Sequence, residues 1–533
     1  MKIKNLNKKF KNSILVSTLI LIFLSFFVNF FLASRGVYPV DTFIHFDSGY
    51  RILNGEIPVR DYWIVHGILV DYIQSLFFLL FGNNWNSYII HSSLFNVSIC
   101  LFLFYLLKNI LKIGLLESFF FSLIIAFLAY PVSGTPFLDL HSAYLSLFGI
   151  FFIIIGILNQ KDHYWLFSGI FFTFAFFCKQ VPAGYVILSS TIFCFLYSLL
   201  KKNLKIFILY SLGGLLSFLI IILFFIYQGI NIEKLILQLF LFPSSIGETR
   251  YTNYDLNFKN TILDFKFIHL FISFVIILIF LNKNKFKKKN YLNKLNVFII
   301  FLIYVISIIF HQIYTKNQVF IFFLIPILGG FCFYFLKDLN IRKKNYYKLF
   351  IIICCLLISI KYIIRFDAER KFHELSNTKI ENSFKFEKFD KKFKGLNWIT
   401  PYFENPEEEI KNLNILKEIL KEENKVMLIT EYKFYSLLLE KKLYSPSRTF
   451  DNISYPSPSS KYFSHYKAFL IRLIENNKLS GIIVFEKEKI NNSRLNHLVY
   501  HYISEKCFDE NRVNDFIMKL NIKNCKDLLN VRK

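Results

Sequence analysis

The chain has 533 residues, of which 54% are hydrophobic and 19% aromatic, and its formal net charge is +26. Its apolar residues fall in blocks long enough to cross a hydrocarbon layer, which excludes an ordinary soluble protein. The excess lysines lie mostly in short clusters between these blocks, as cytoplasmic loops require, and not on one basic surface for a nucleic acid. The composition therefore predicts an integral membrane protein.

Eleven apolar runs predict transmembrane helices. The first run follows a lysine-rich tail and resembles a signal peptide, but LASRG at 32–36 is a poor cleavage site, so we expect a retained span. The runs lie near residues 13–34, 87–107, 113–131, 142–159, 164–178, 183–200, 206–228, 267–281, 295–313, 318–336 and 349–364.

The lysines and arginines of the short loops predict the orientation. The amino-terminal tail and every second loop are rich in lysine, as at 201–205 and 283–294, whereas the alternate loops are poorer. We therefore expect the amino terminus in the cytoplasm of a bacterial cell and the protein in its inner membrane. An ambiguous run at 64–82 would invert this order if it crossed, and its His66, Asp71 and Gln74 favour an interfacial or re-entrant helix on the outer side.

The composition becomes charged and mixed after about residue 365, which predicts a second domain. Asn405 followed by Pro406 and an acidic first turn predicts the start of a helix. KVMLIT at 425–430 and GIIVFE at 481–486 predict short buried strands with a helix near 461–476 between them. We thus expect an α-helical polytopic domain at 1–364, with a catalytic outer loop at 35–86, and a periplasmic α/β domain at 365–533.

The predicted first outer loop contains VYPVDTFIHFDSGYRILNGEIPVRDYW, at 37–63, with many charges directly after an apolar run. Aromatic and aliphatic residues alternate with these charges, so a flexible hydrophilic loop is a poor description. FIHFDSGYRILNG predicts a short helix that ends at Gly55. The charges are either solvated loop residues or part of a site at the membrane–water boundary.

This segment resembles the GT-C glycosyltransferases of the protein-mannosyltransferase and aminoarabinose-transferase type, which take a sugar from a polyprenyl-phosphate carrier. These proteins have an acid shortly after the first span, then a helix, then a GxxPYRD-like pattern, and then a hydrophobic helix that ends in FG. The segment departs from the pattern at two positions, because Asp41 is followed by Thr42 where the family has an Asp-Glu pair, and Val59 replaces an aromatic residue. The matching residues are Asp41, Gly55, Pro58, Arg60, Asp61 and Gly67, followed by LFFLLFG at 76–82.

The resemblance implies an inverting transfer of a hexose or pentose from a polyprenyl-phosphate-linked donor to an envelope glycan, lipid or protein. An acid, either Asp41 or Asp47, would act as general base or orient the acceptor. Asp139 is a second candidate acid and equally a candidate cap of the fourth helix. Asp41 and Asp139 would hold a divalent cation, Mg or Mn, in the members of this class that use one, whereas other members need none.

A leaving phosphate requires cations, and Lys179 with Gln180 interrupts apolar sequence at the end of a predicted span. Lys179 either extends to the interface or contacts the carrier phosphate. If the tail lies outside the cytoplasm, Cys507 and Cys525 are expected to form a disulfide. Further contacts to the donor or acceptor are expected from His45, Arg51, Arg60, Asp61, His66, His141, Arg250, Tyr251 and His311.

Two other functions compete with this prediction. An O-antigen polymerase or ligase would use outer-loop arginines more than acids. A lipid or sugar transporter would place charges near the bilayer midplane and show repeated halves. The acids of the first outer loop and the nearly charge-free centres of the runs favour the glycosyltransferase.

Overall fold

The structure is a computed structural model that describes residues 2–252, 256–285, 289–315, 320–339, 344–451 and 453–523. Side chains are described from residue 12 onward, except at 249–252 and 289. Arg250 and Tyr251 lie in a helix, but their side chains are outside this description. Cys507 is buried, whereas its expected partner Cys525 lies outside the described residues, so the disulfide stays a prediction.

Most elements are helices, and their order follows the apolar runs of the sequence. The α-helices are α1 (Lys2–Ala33), α2 (Pro39–Thr42), α3 (Ile44–Leu53), α4 (Leu69–Phe81), α5 (Trp85–Tyr105), α6 (Leu115–Leu128), α7 (Leu138–Asn159), α8 (His163–Cys178), α9 (Gln180–Leu200), α10 (Lys205–Tyr227), α11 (Ile232–Ile236), α12 (Phe242–Thr252), α13 (Lys266–Leu281), α14 (Lys289–Thr315), α15 (Leu324–Leu336), α16 (Lys344–Ile363), α17 (Pro406–Glu422), α18 (Tyr435–Leu439), α19 (Phe463–Asn477) and α20 (Asn492–Leu495). The strands are β1 (Phe384–Lys385), β2 (Asn397–Trp398), β3 (Val426–Thr430), β4 (Gly481–Phe485), β5 (Phe508–Arg512) and β6 (Ile517–Ile522).

Among the described residues, eight helices are long and apolar enough to cross a membrane. Shorter apolar helices at His163–Cys178, Lys266–Leu281 and Ile321–Leu336 coincide with three further predicted runs, and Leu69–Phe81 coincides with the ambiguous run. The prediction of a polytopic α-helical membrane protein is therefore confirmed. The count of eleven crossings and the orientation stay predictions.

The chain divides into two compact units. The first contains Met1–Ala33, Ile89–Ile222 and Arg250–Phe372, and the second contains Ser34–Tyr88, Leu223–Thr249 and His373–Lys533. The segment after the first apolar helix thus belongs to the same unit as the carboxyl-terminal part. This division is by compactness, and the domain boundary at residue 364 stays a prediction.

The first unit is organised around α7, which contacts α8, α9 and α14. Its apolar window is 94% buried inside the protein, so α7 is surrounded by other helices. Gly169 of α8 and Gly213 of α10 allow a close approach of two backbones, since a Cβ on Gly213 would lie 2.1 Å from the carbonyl oxygen of Leu166. Small residues at such crossings are typical of membrane helices.

The second unit contains a four-stranded sheet in the order β3-β4-β6-β5. β3 and β4 are parallel, and the other two pairs are antiparallel. The two predicted strands are confirmed as β3 and β4, and the helix predicted after Asn405 is α17, in which the Asn405 side chain accepts a hydrogen bond from the backbone N–H of Glu407. α19 lies between β3 and β4 in the chain, where the sequence predicts a helix. The carboxyl-terminal α/β part of the prediction is thus confirmed.

We expect Gly169→Ala to lower the free energy of unfolding by about 1 to 3 kcal/mol. The new Cβ would lie 2.2 Å from the carbonyl oxygen of Tyr210 and 2.5 Å from the backbone nitrogen of Gly214, and neither atom can move unless the helices separate. Thermal unfolding of the purified protein in one detergent measures the effect. Gly184→Ala is the control, because a Cβ at Gly184 meets no atom within 4 Å, and equal melting temperatures for the two variants would contradict the close crossing.

Candidate functional site

Two acids and two bases form a buried charge cluster in the second unit, composed of Asp47, Arg51, Glu56 and Lys433. The Arg51 guanidinium donates a 2.8 Å hydrogen bond to Glu56, lies 3.7 Å from the Asp47 carboxylate one helical turn away, and packs 4.0 Å from the centre of the Tyr62 ring. The Lys433 ammonium donates to the carbonyl oxygen of Ser447, at 2.8 Å. All four charged side chains are buried, so Asp47 and Arg51 are occupied by each other and by the carboxyl-terminal part.

Burial determines the protonation of this charge cluster. It raises the pKa of Asp47, and the nearby Arg51 and Lys433 oppose that shift. It lowers the pKa of Lys433 to about 7, because a desolvated ammonium is unfavourable, although Asp47 acts in the opposite direction. The protonation of each group in the cluster therefore depends on burial and on the charges of its neighbours.

A second buried arrangement joins α3 and α4 to the carboxyl-terminal part. His45 Nδ1 donates to the Asp71 carboxylate at 2.6 Å, and the other Asp71 oxygen accepts a 2.8 Å bond from Arg448. Arg448 also donates to the carbonyl oxygen of Gly67, at 3.0 Å. Burial is the main reason that the pKa of His45 is lowered. His45 and Arg51 are buried and paired inside the protein, so their role in this geometry is structural.

Asp41 lies in a different environment, because it is partly exposed. It occupies the short helix α2, and its charge contributes to the raised pKa values of Tyr38 and Tyr402, for which burial is the larger cause. The rings of these tyrosines lie 5.7 Å apart. Lys487 lies 4.3 Å above the centre of the Tyr402 ring and 3.3 Å from the Glu431 carboxylate. Asp41 is thus an accessible acid beside tyrosines, a base and a second acid.

The remaining predicted residues of this segment lie at a turn and beside α4. Arg60 pairs with Asp61 at 2.7 Å, and Asp61 accepts a hydrogen bond from the backbone N–H of Ile57 at 2.8 Å. The Arg60 side chain is 40% exposed, so this guanidinium can be reached from solvent. His66 is half-buried before α4 begins.

The first unit brings three predicted residues together. Lys179 Nζ lies 2.6 Å from one carboxylate oxygen of Asp139, and His311 Nε2 lies 3.4 Å from the other. The Asp139 and His311 side chains are 4% and 1% exposed, and that of Lys179 is 13% exposed. We call these residues the Asp139 centre. Lys179 is its accessible member, with an acid and an imidazole behind it.

Three helix ends create the Asp139 centre. Asp139 lies in the first turn of α7, where Phe137 and not Asp139 occupies the N-cap position. Lys179 is the extended residue between α8 and α9, and its carbonyl oxygen accepts a 3.1 Å hydrogen bond from the Ser142 hydroxyl. His311 lies in the last turns of α14. Gln180, beside Lys179, is half-buried.

His141 contacts a residue that the sequence does not single out. Its Nε2 lies 3.0 Å from Nε2 of His91 in α5, and its Nδ1 contacts the hydroxyl of Tyr130. Both imidazoles are fully buried. His141 lies two residues after Asp139 in α7 and is engaged with its own partners.

Sequence reasoning missed the residues that act through long-range contacts. Lys433, Arg448 and Lys487 stand in a part that reads as a periplasmic domain, with no local pattern that connects them to α3 or α2. His91 is an ionisable residue near the start of an apolar run, which is the signal that would have found it. Among the described residues, no group of three or more His, Cys, Asp or Glu side chains is arranged to hold a metal ion.

Apolar helices with a carboxyl-terminal α/β part, and acids and bases gathered at helix ends, define a multi-pass membrane protein with the GT-C type of fold. Residues 65–227 match the family model described as dolichyl-phosphate-mannose-protein mannosyltransferase, a stretch that includes Asp139 and Lys179. The resemblance seen in the first outer loop therefore extends into the helices.

The fold is shared with a solved bacterial protein. ArnT from Cupriavidus metallidurans in the apo state is 10% identical, with a TM-score of 0.52 over 96% of this chain and 98% of that chain. A second structure of that ArnT, bound to undecaprenyl phosphate, has a TM-score of 0.47 with the same identity and coverage. No curated protein sequence matches the chain. At this identity the similarity shows the fold.

We expect the stability of the protein to rise with pH above neutrality because of Lys433. Its pKa is about 7 in the folded state, against 10.5 for an ordinary lysine, so the unfolded chain binds more protons between these values. The free energy of unfolding therefore increases with pH in this window, by at most about 1.4 kcal/mol per pH unit. Melting temperatures from pH 7 to 9.5 measure the slope.

The slope should decrease in Lys433→Met, whose side chain does not titrate. Lys461→Met is the matched control, because Lys461 is an exposed lysine of the same unit. Parallel curves for the wild type and Lys433→Met would show that Lys433 keeps its proton or is solvated.

Proposed function

We propose that the protein is a membrane glycosyltransferase that moves one sugar from a polyprenyl-phosphate-linked donor to an envelope glycan, lipid or protein. The reaction takes place on the outer face of the bacterial inner membrane. The shared fold and the family model support this function, and the observation that carries it is the meeting of Asp139, Lys179 and His311 at three helix ends. The family description names a sugar on dolichyl phosphate, which is a polyprenyl-phosphate donor.

Lys179 is the proposed contact for the carrier phosphate. A phosphate becomes more negative as the bond to the sugar breaks, and a cation held beside it stabilises that charge. Asp139 orients the Lys179 ammonium at 2.6 Å, while His311 lies behind the same carboxylate. Arg60, Arg250 and Tyr251 stay predicted contacts to the donor or acceptor.

Asp41 is the proposed general base, in preference to Asp47. The Asp47 carboxylate is buried and lies 3.7 Å from Arg51, so an acceptor would have to displace an internal ion pair to reach it. Asp41 is partly exposed. Its carboxylate would take the proton of the acceptor hydroxyl or amine as that atom bonds to the anomeric carbon and the carrier phosphate leaves with the bonding electrons.

A divalent cation stays a prediction for Asp41 and Asp139. Carboxylate oxygens suit Mg and Mn, and such an ion would neutralise charge on the departing phosphate. The proposed proton transfer to Asp41 and the proposed contact of Lys179 with the phosphate are assigned to residues of the chain and not to a metal ion. Transfer measured after treatment with a chelator, and after re-addition of Mg or Mn, tests the metal requirement.

We expect Asp41→Asn to abolish one sugar of the envelope, whereas Asp47→Asn should reduce the amount of folded protein. The amide at 41 cannot accept a proton, and the amide at 47 leaves Arg51 and Lys433 with one carboxylate less. Both variants are tested in a deletion strain by glycan profiling at matched protein level. A normal profile with Asp41→Asn would exclude Asp41 as the base, and an unchanged profile in the deletion strain itself would contradict the proposed function.

We expect Lys179→Met to lower kcat for sugar transfer about 10²- to 10³-fold, since one charge contact to the departing group is lost. Lys179→Arg should retain part of the activity because it keeps the cation. The measurement is transfer from a labelled polyprenyl-phosphate sugar by purified protein in lipid vesicles. Lys161→Met, at an exposed lysine of the same unit, is the control, and a kcat unchanged in Lys179→Met would remove Lys179 from the mechanism.

A further inference from the structure

A cavity of about 490 Å³ opens beside the carboxyl end of β4 in the second unit. β3 and β4 form a parallel pair, and each is followed at its carboxyl end by an acid, Glu431 after β3 and Glu486 after β4. In α/β sheets, ligands bind in the crevice outside the carboxyl ends of parallel strands. The position of the cavity in the sheet is therefore that of a ligand site.

The cavity wall is formed mainly by polar side chains that both donate and accept hydrogen bonds. Glu486 forms the buried end of this wall, and its carboxylate pairs with Arg494 at 3.1 Å. The lining also contains Asn491, Ser493, His497 and His501.

Nε2 of the lining residue His497 is a buried polar atom that has no hydrogen-bond partner among the described residues, and the hydroxyl of Tyr455, which lies behind the lining, is a second one. Their rings lie 5.5 Å apart, and Tyr455 is 2% exposed. A buried polar atom without a partner is costly, and a hydroxyl group of a ligand can satisfy an imidazole nitrogen or a phenol. The orphaned atoms thus indicate a ligand that carries hydroxyl groups.

The charges of the cavity favour a neutral ligand over an anion. Arg494 pairs with Glu486 at 3.1 Å, and Lys489 pairs with Asp515 at 2.8 Å. Burial lowers the pKa of His497, and the neighbouring Arg494 and His501 lower it further, so this imidazole is neutral at pH 7. A phosphate would find the Arg494 and Lys489 cations already paired with carboxyl groups, whereas a sugar finds a carboxyl group, a guanidinium, an amide and an imidazole.

From this geometry we propose that the cavity binds a neutral sugar unit of the acceptor glycan. Glu486, Arg494 and His497 contact its hydroxyl groups. The term acceptor rests on the proposed glycosyltransferase function.

The position of the cavity beside other polar residues supports an acceptor role. Burial is the main cause of the raised pKa of Glu486, to which Glu431 contributes and which Lys487 opposes. Burial also raises the pKa of Tyr402, and the charges of Glu431 and Asp41 add to that shift. Lys487 links the two sets, because it lies 3.3 Å from both Glu431 and the Tyr402 hydroxyl. A glycan anchored at the cavity would extend along these side chains toward the proposed base.

The test is direct binding of an array of bacterial surface oligosaccharides, with their component monosaccharides, to the purified full-length protein. Ser493→Trp places a large side chain at an exposed lining position, and His497→Phe keeps the ring beside Tyr455 while it removes both nitrogens. We expect each variant to lose at least tenfold in affinity for the glycan that the wild type binds. Ser459→Trp, at an exposed serine outside the lining, should bind like the wild type.

Three results would overturn the proposal: no neutral glycan on the array binds the wild type at millimolar concentration, both lining variants bind as tightly as the wild type, or inorganic phosphate occupies the cavity and displaces the glycan. Unchanged melting temperatures of the variants exclude loss of folding as the cause of weaker binding.

The same variants separate this proposal from the proposed function. In the transfer assay, Ser493→Trp should raise KM for the acceptor and leave kcat unchanged. Specific glycan binding without any transfer would keep the cavity site and reject the glycosyltransferase. Transfer with an unchanged acceptor KM in both variants would keep the enzyme and reject the cavity as the acceptor site.

Discussion

The guanidinium of Arg51 connects the segment after the first apolar helix to the carboxyl-terminal part of the second unit. It pairs with Glu56, approaches Asp47, stacks on Tyr62 and donates a 3.0 Å hydrogen bond to the carbonyl oxygen of Ser445. Removal of one partner of a buried charge network leaves an uncompensated charge and costs about 3 to 5 kcal/mol. The segment after the first apolar helix therefore has a fixed position on the carboxyl-terminal part.

This constraint separates the charges of that segment into two kinds. Asp47 and His45 are buried and paired inside the protein, and such residues stabilise the structure of the unit. Residues that keep an exposed surface, such as Asp41 and Arg60, can be reached from solvent. In the first unit the same distinction applies within one site, because Asp139 and His311 are buried and Lys179 presents its ammonium in front of them. Accessibility and pairing, more than residue type, decide which charges can act in chemistry.

Much of the fold follows from local patterns in the sequence. The ends of the apolar helices follow hydropathy. α17 begins at Pro406, because Asn405 is a favourable N-cap residue and proline is favourable at the first helical position. β3 and β4 are short apolar runs bounded by polar residues, which identifies them without tertiary information. The helix at 44–53 ends before Gly55, whose φ of +83° is a conformation that glycine adopts readily.

The site is less predictable, because its contacts are long-range. Arg51 and Ser445 are 394 positions apart, and Asp71 and Arg448 are 377 apart, and no periodicity connects such residues. Lys179 and Asp139 could each be selected because they are charged residues next to apolar runs, but their 2.6 Å contact depends on how α7, α8 and α9 pack. The burial of Asp47 is not predictable from the sequence either, because a sequence shows that an acid is present but not whether water reaches it.

The bond from Arg51 to Ser445 has a consequence for protein engineering. An isolated fragment of residues 373–533 would expose the surfaces that Arg51 and Asp71 cover, and a chimera that exchanges this fragment between homologues would mismatch both ion networks. Residues 34–88 must be exchanged with it. Substitutions in residues 34–88 and in residues 373–533 are thus coupled, although apolar helices separate the two stretches in the chain.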